Sequence, residues 1–140
     1  MRCMVVDESA TTRRILRNVL RDLGADEVLE VGHGREALER CDETLDLVVI
    51  DRTLPGLDGL DLVRRLREKP ETSTIPVLMV AARGTRRDVL LAREAGVNGY
   101  VIKPFAPEYL RPRLEALLRG EAGQAAPPGV EIERTEERAA

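Results

Sequence analysis

Three acidic residues and one lysine hold the positions in this sequence from which chemistry is to be expected. Asp7 and Glu8 follow the apolar run Cys3-Met4-Val5-Val6, Asp51 follows Leu47-Val48-Val49-Ile50, and Lys103 follows Tyr100-Val101-Ile102. Each run has the length and residue types of a strand, so each charged group stands where a strand ends. Carboxylates gathered at one edge repel: two unit charges about 4 Å apart cost about 4 kcal/mol at an effective dielectric near 20. A divalent cation removes that cost, and Mg²⁺ accepts one or two carboxylates while leaving room for water and phosphate oxygens. Lys103 adds a compact positive charge suited to a phosphoryl group. A carboxylate beside such a metal can attack phosphorus in line and form an acyl phosphate. Taken singly, each acid reads as a solvated strand-end carboxylate; the joint placement with the lysine is what points to phosphoryl chemistry.

The elements that must position these residues alternate along the chain. Strand-like runs at 2–6, 28–31, 47–50, 75–80 and 98–102 are separated by helical patterns at 9–23, 34–41, 60–68, 85–95 and 107–119. Ser9 can cap the first helix, whose Ile15, Leu16, Val19, Leu20 and Leu23 recur at helical spacing before Gly24. The unbroken apolar run 47–50 suits a strand buried on both faces. Strict alternation implies βαβ crossovers, hence an α/β fold with a five-stranded parallel sheet and helices on both faces. In such sheets ligands bind outside the carboxyl ends of the strands, and Asp7, Asp51, Ala81 and Lys103 all fall there. Pro112 is expected to kink or delay the last helix, because it removes an intrahelical donor.

Composition bounds the remaining classes. With 43% hydrophobic and 34% charged residues, the 140-residue chain is a globular domain and not a disordered segment. Its 2% aromatic content leaves the core to Leu, Val, Ile and Ala. No apolar run reaches the roughly 18–20 residues of a membrane span, and the amino-terminal residues lack a secretory signal. Cys3 and Cys41 read as reduced thiols in a strand and a helix, which suits a cytoplasmic protein. Residues 1–119 carry 20 basic and 20 acidic side chains, whereas 120–140 hold five glutamates and two arginines, which supply the net charge of −3. That balance gives no overall basic field for direct nucleic-acid binding. Residues 1–119 are expected to form the domain; 120–140, rich in Gly, Ala, Pro and Glu, are expected to be a disordered acidic tail or linker stub.

Three blocks carry a resemblance: Met4-Val5-Val6-Asp7-Glu8, the stretch from Val48 through Asp51-Arg52-Thr53-Leu54-Pro55-Gly56 to Gly59, and Gly99-Tyr100-Val101-Ile102-Lys103-Pro104-Phe105. In order and spacing they resemble the receiver domains of two-component response regulators, closest to the stand-alone CheY type with its flavodoxin-like (βα)5 fold. The resemblance implies that Asp51 accepts a phosphoryl group from a sensor histidine kinase or phosphotransfer protein. It also implies that Asp7, Glu8, Asp51 and the Thr53 backbone carbonyl bind Mg²⁺. Lys103 would pair with phosphoryl oxygens, Pro104 would follow it in a cis peptide, and Tyr100 would be the aromatic that swings inward on activation to signal to a downstream protein target. Such a protein acts on itself by phosphotransfer and dephosphorylation and is not otherwise an enzyme.

Two departures stand out. Receivers usually place Thr or Ser after the fourth strand, to bond the phosphoryl group and couple it to the aromatic; here that position is Ala81. The missing hydroxyl implies a looser link to Tyr100, and restoring it is expected to bury Tyr100 further; Thr85 could substitute only through a rearranged loop. Glu8 also stands in place of the commoner Asp. Ala81 keeps a second reading open, a pseudo-receiver that signals by partner binding without phosphorylation. An aspartate-nucleophile phosphatase of the haloacid dehalogenase type would want an acid two residues after Asp51, where Thr53 stands. His33, between Gly32 and Gly34, reads as a solvated loop residue. Arg13, Arg14 and Arg17 read as a solvated helix face that the resemblance would turn toward a kinase, and Arg86, Arg87 and Arg93 lie on the expected output helix.

Overall fold

Five short strands make one parallel sheet: β1 (Arg2–Val6), β2 (Glu27–Val31), β3 (Leu47–Asp51), β4 (Val77–Ala81) and β5 (Gly99–Ile102). Between and after them run α1 (Ala10–Asp22), α2 (Gly34–Arg40), α3 (Gly59–Glu68), α4 (Arg86–Ala95) and α5 (Pro107–Leu118). The computed structural model describes residues 1–120. The tail or linker expected over 120–140 therefore lies, from residue 121 on, outside the described residues.

The strand order is β2-β1-β3-β4-β5 with every pair parallel. The order reverses direction at β1 and β3, and a doubly wound sheet opens its ligand crevice at that switch point. Successive residues of a strand face opposite sides, so the alternation splits the core in two. Met4, Val6, Val48, Ile50, Val77 and Met79 pack toward α2, α3 and α4. Cys3, Val5, Leu47, Val49, Leu78 and Val80 pack toward α1 and α5. Strands β3 and β4 are buried along their whole length, which explains their unbroken apolar sequence.

Local signals set the helix ends. Ser9 Oγ accepts the Thr12 amide at 3.2 Å and starts α1, whose buried Leu16, Val19 and Leu20 form one inward stripe. Thr85 and Asp88 form a reciprocal capping box at the start of α4, and Gly96, at φ 110°, ends it in the left-handed conformation. Strand β4 begins at Val77, not at Ile75, because Pro76 has no amide to donate; its carbonyl instead accepts the Val48 amide at 3.0 Å. Ile75 is nonetheless buried. Helix α5 starts at Pro107 and continues through Pro112 without interruption, so the expected delay does not occur.

Candidate functional site

The carboxyl ends of β1, β3 and β5 bring Asp7, Asp51 and Lys103 together, as their places in the sequence require. Lys103 Nζ lies 2.9 Å from Asp7 Oδ2 and 2.9 Å from Asp51 Oδ2, donating a hydrogen bond to the latter. Asp7 is only 1% exposed, and its Oδ1 accepts the Ser9 amide at 2.8 Å. Its Oδ2 is buried, and among the described residues the only polar group brought to it is the Lys103 ammonium, which leaves the oxygen acceptor capacity to spare. Asp51 Oδ1 accepts the Thr53 amide at 3.2 Å. Burial pushes the Asp51 carboxyl above its ordinary pKa, with the Asp7 charge adding to the rise and Lys103 opposing it. Burial pulls Lys103 down, but its two carboxylates outweigh that and hold it above its ordinary value.

A cation of hard-oxygen preference fits this arrangement. Two buried carboxylates share one ammonium, and Asp7 Oδ2 keeps an unused acceptor. Two carboxylates are enough for Mg²⁺, whose remaining positions go to water, carbonyl and phosphate oxygens. Glu8 is not drawn into the pair: its side chain is exposed at the end of β1. Among the described residues no group of three His, Cys, Asp or Glu side chains closes around one point.

The loops around the acids are packed tightly. A Cβ on Gly59 would stand 2.3 Å from the Asp51 carbonyl oxygen and 2.8 Å from Arg52 Cα, so α3 can begin this close to β3 only with glycine there. Gly56 has φ 82°, and a Cβ there would strike the His33 ring. His33, exposed, is the N-cap of α2, its Nδ1 accepting the Arg35 amide at 3.3 Å. The Lys103–Pro104 peptide is cis, as the resemblance implied.

At the switch positions the structure sharpens the expectation. Ala81, 3% exposed, and Tyr100, 2% exposed, lie in the same core cluster beneath α4. Met79 pairs with Tyr100 and Ala81 with Ile102, which makes Ala81 and Tyr100 diagonal neighbours on one face of the sheet. The Tyr100 hydroxyl donates to the Arg83 carbonyl at 2.7 Å. The ring already points inward, so a restored hydroxyl at residue 81 has no further burial to produce. Thr85 accepts the Asp88 amide as the cap of α4 and has no rearranged role at the phosphoryl position.

Two residues with structural work at the site were not singled out for it by the sequence. Arg52, next to the candidate acceptor, donates from a guanidinium nitrogen to Asp88 Oδ1 at 3.0 Å. Its separation of 36 residues from Asp88 left no local pattern to read. Arg13 donates to the Asp7 and Glu8 carbonyls and, with Arg17, pairs with Glu30. Both are thus more than members of a solvated face. Cys3 and Cys41 are free thiols.

Comparison with known proteins agrees with this geometry. Residues 3–115 match the family model of the response regulator receiver domain. The chemotaxis protein CheY1 of Helicobacter pylori is 42% identical over 120 residues, covering 84% of this chain and 97% of that protein. The structure of the chemotaxis response regulator CheY4 of Vibrio cholerae superposes with a TM-score of 0.75 at 27% identity, over 83% of this chain and 97% of that one. The receiver domain of a sensor histidine kinase from Pseudomonas aeruginosa, with magnesium coordinated in its active site cleft, gives 0.73 at 26% identity, over 84% and 97%. The chain belongs to the response regulator receiver domain family and is of the CheY type.

Proposed function

We propose that this receiver is a working phospho-switch: Asp51 takes a phosphoryl group from a sensor histidine kinase or phosphotransfer protein and alters a surface read by a downstream protein. The observation that carries the reading is the single ammonium of Lys103 held 2.9 Å from both buried carboxylates. Asp51 supplies the attacking oxygen, and burial deprives that oxygen of competing water. Lys103 is placed to follow the charge from the carboxylate to the phosphoryl oxygens. Asp7, Asp51 and the Thr53 carbonyl would hold Mg²⁺, with Glu8 reaching it from the exposed edge. The Pseudomonas aeruginosa relative has a magnesium ion coordinated in its active site cleft; in this chain such a metal would neutralise phosphoryl charge and align the donor. The added charge of about −1.5 to −2 then biases the domain between two states.

The protein acts only on itself, in the cytoplasm, without inserting in a membrane or contacting nucleic acid. Among the described residues no helix is long and apolar enough to cross a membrane. The pseudo-receiver reading retains one supporting observation, the absence of a hydroxyl at Ala81. Incubation with acetyl phosphate and Mg²⁺ separates the two. The phospho-switch gains one phosphoryl group, EDTA prevents the gain, and Asp51→Asn abolishes it; the pseudo-receiver stays unmodified.

A further inference from the structure

With Ala81 unable to donate, the link from Asp51 to α4 has to be made by other groups, and the structure offers one. Arg52 is covalently next to Asp51, and its backbone is fixed on both sides. Its amide donates to the Val80 carbonyl at 2.8 Å, and its carbonyl accepts the Gly59 amide at 2.9 Å. Its side chain leaves the sheet toward α4, where it donates to Asp88 Oδ1 at 3.0 Å, with side-chain exposures of 26% and 14%. Asp88 has its other oxygen, Oδ2, on the Thr85 amide at 3.2 Å, and its own amide donates to Thr85 Oγ1 at 3.1 Å. One carboxylate therefore ties Arg52 to the cap of α4. The Tyr100 hydroxyl, on the same side of the sheet, donates to the Arg83 carbonyl in the loop before that cap at 2.7 Å.

We propose that Arg52 is a positioning residue that carries the state of Asp51 to the amino-terminus of α4 through Asp88, in place of the hydroxyl absent at Ala81. This rests on the phospho-switch reading. A new negative charge on Asp51 competes with Asp88 for the adjacent guanidinium, and any change in the Arg52–Asp88 contact is felt at the α4 cap. The coupling is reciprocal, so a partner that holds α4 also changes how readily Asp51 is charged.

The test measures two things on the same samples: phosphoryl gain by intact mass, and amide NMR shifts across residues 83–90 on phosphorylation or beryllofluoride addition. Arg52→Met removes the charge while keeping much of the side-chain volume. Asp88→Asn keeps an oxygen for the Thr85 amide, so α4 stays capped while the ion pair is lost. Expected is unchanged phosphoryl gain in both variants with the shifts at 83–90 at least halved, and partial recovery in Arg52→Lys. Full wild-type shifts in both variants would overturn the relay. Loss of phosphoryl gain in a folded Arg52→Met would overturn it too, placing Arg52 in the acceptor site itself. Failure of the wild-type protein to gain a phosphoryl group is a different result and removes the phospho-switch reading beneath it.

Discussion

Lys103 donates to Asp51 Oδ2 at 2.9 Å while standing at the same distance from Asp7 Oδ2, so one ammonium balances two buried carboxylates. Lys103→Met leaves those carboxylates facing each other. We expect a loss of about 3–5 kcal/mol at neutral pH, the cost of removing one partner from a buried charge pair. Asp51 already sits above its ordinary pKa, raised by burial and by Asp7. A carboxyl with a raised folded pKa is most favourable protonated: its contribution is present below the unfolded value and is lost as pH rises through the folded one. The gap in urea midpoint between wild type and Lys103→Met should therefore narrow on acidification toward the carboxylate range, and also on addition of Mg²⁺. A gap that widens under either change contradicts the charge account.

Ala81→Thr is expected to crowd the site. Residue 81 is 3% exposed and shares its face of the sheet with a Tyr100 ring that is already inside. Two added heavy atoms in a filled core cost about 1–3 kcal/mol. The variant should melt lower, with aromatic NMR signals showing Tyr100 displaced outward in the unphosphorylated state. Unchanged melting with Tyr100 in place would show that the face has room.

Gly59→Ala puts a methyl 2.3 Å from the Asp51 carbonyl oxygen. Backbone must move on one side or the other, and the expected penalty is about 1–3 kcal/mol in urea unfolding. Because α3 abuts the acceptor strand, phosphoryl gain should slow in the same variant. Wild-type stability would mean that α3 is not seated as described.

Both cysteines should resist alkylation in the folded protein. Burial pushes the Cys3 thiol up to about 11 and the Cys41 thiol up to about 12. The thiolate is the reactive form, and it is scarce near pH 8 at such values. Iodoacetamide at that pH should label neither residue natively and both in guanidinium. Rapid native labelling of Cys41 would show that α2 opens around it.

The parallel sheet and the gathering of Asp7, Asp51 and Lys103 were legible in the sequence because both follow from local patterns. Apolar runs mark the strands, and parallel order puts their last residues on one edge. Strand β4 was misjudged at its start for a reason also visible in the sequence: Pro76 cannot donate to the ladder, although Ile75 continues the apolar run. Side-chain partners across loops were not legible. The contacts of Arg52 with Asp88 and of Arg13 with the β1–α1 loop depend on how α4 and α1 are seated. The inward position of Tyr100 likewise follows from three-dimensional packing beside a small residue, which the strand pattern alone does not determine.

The central claim is that Asp51 itself accepts the phosphoryl group. The direct measurement is borohydride reduction of protein treated with acetyl phosphate and Mg²⁺, followed by peptide mass spectrometry, since an aspartyl phosphate is reduced to homoserine. The account predicts homoserine at residue 51, absent when EDTA is present. Phosphate found on another residue, or no modification of a folded wild-type protein, would contradict it.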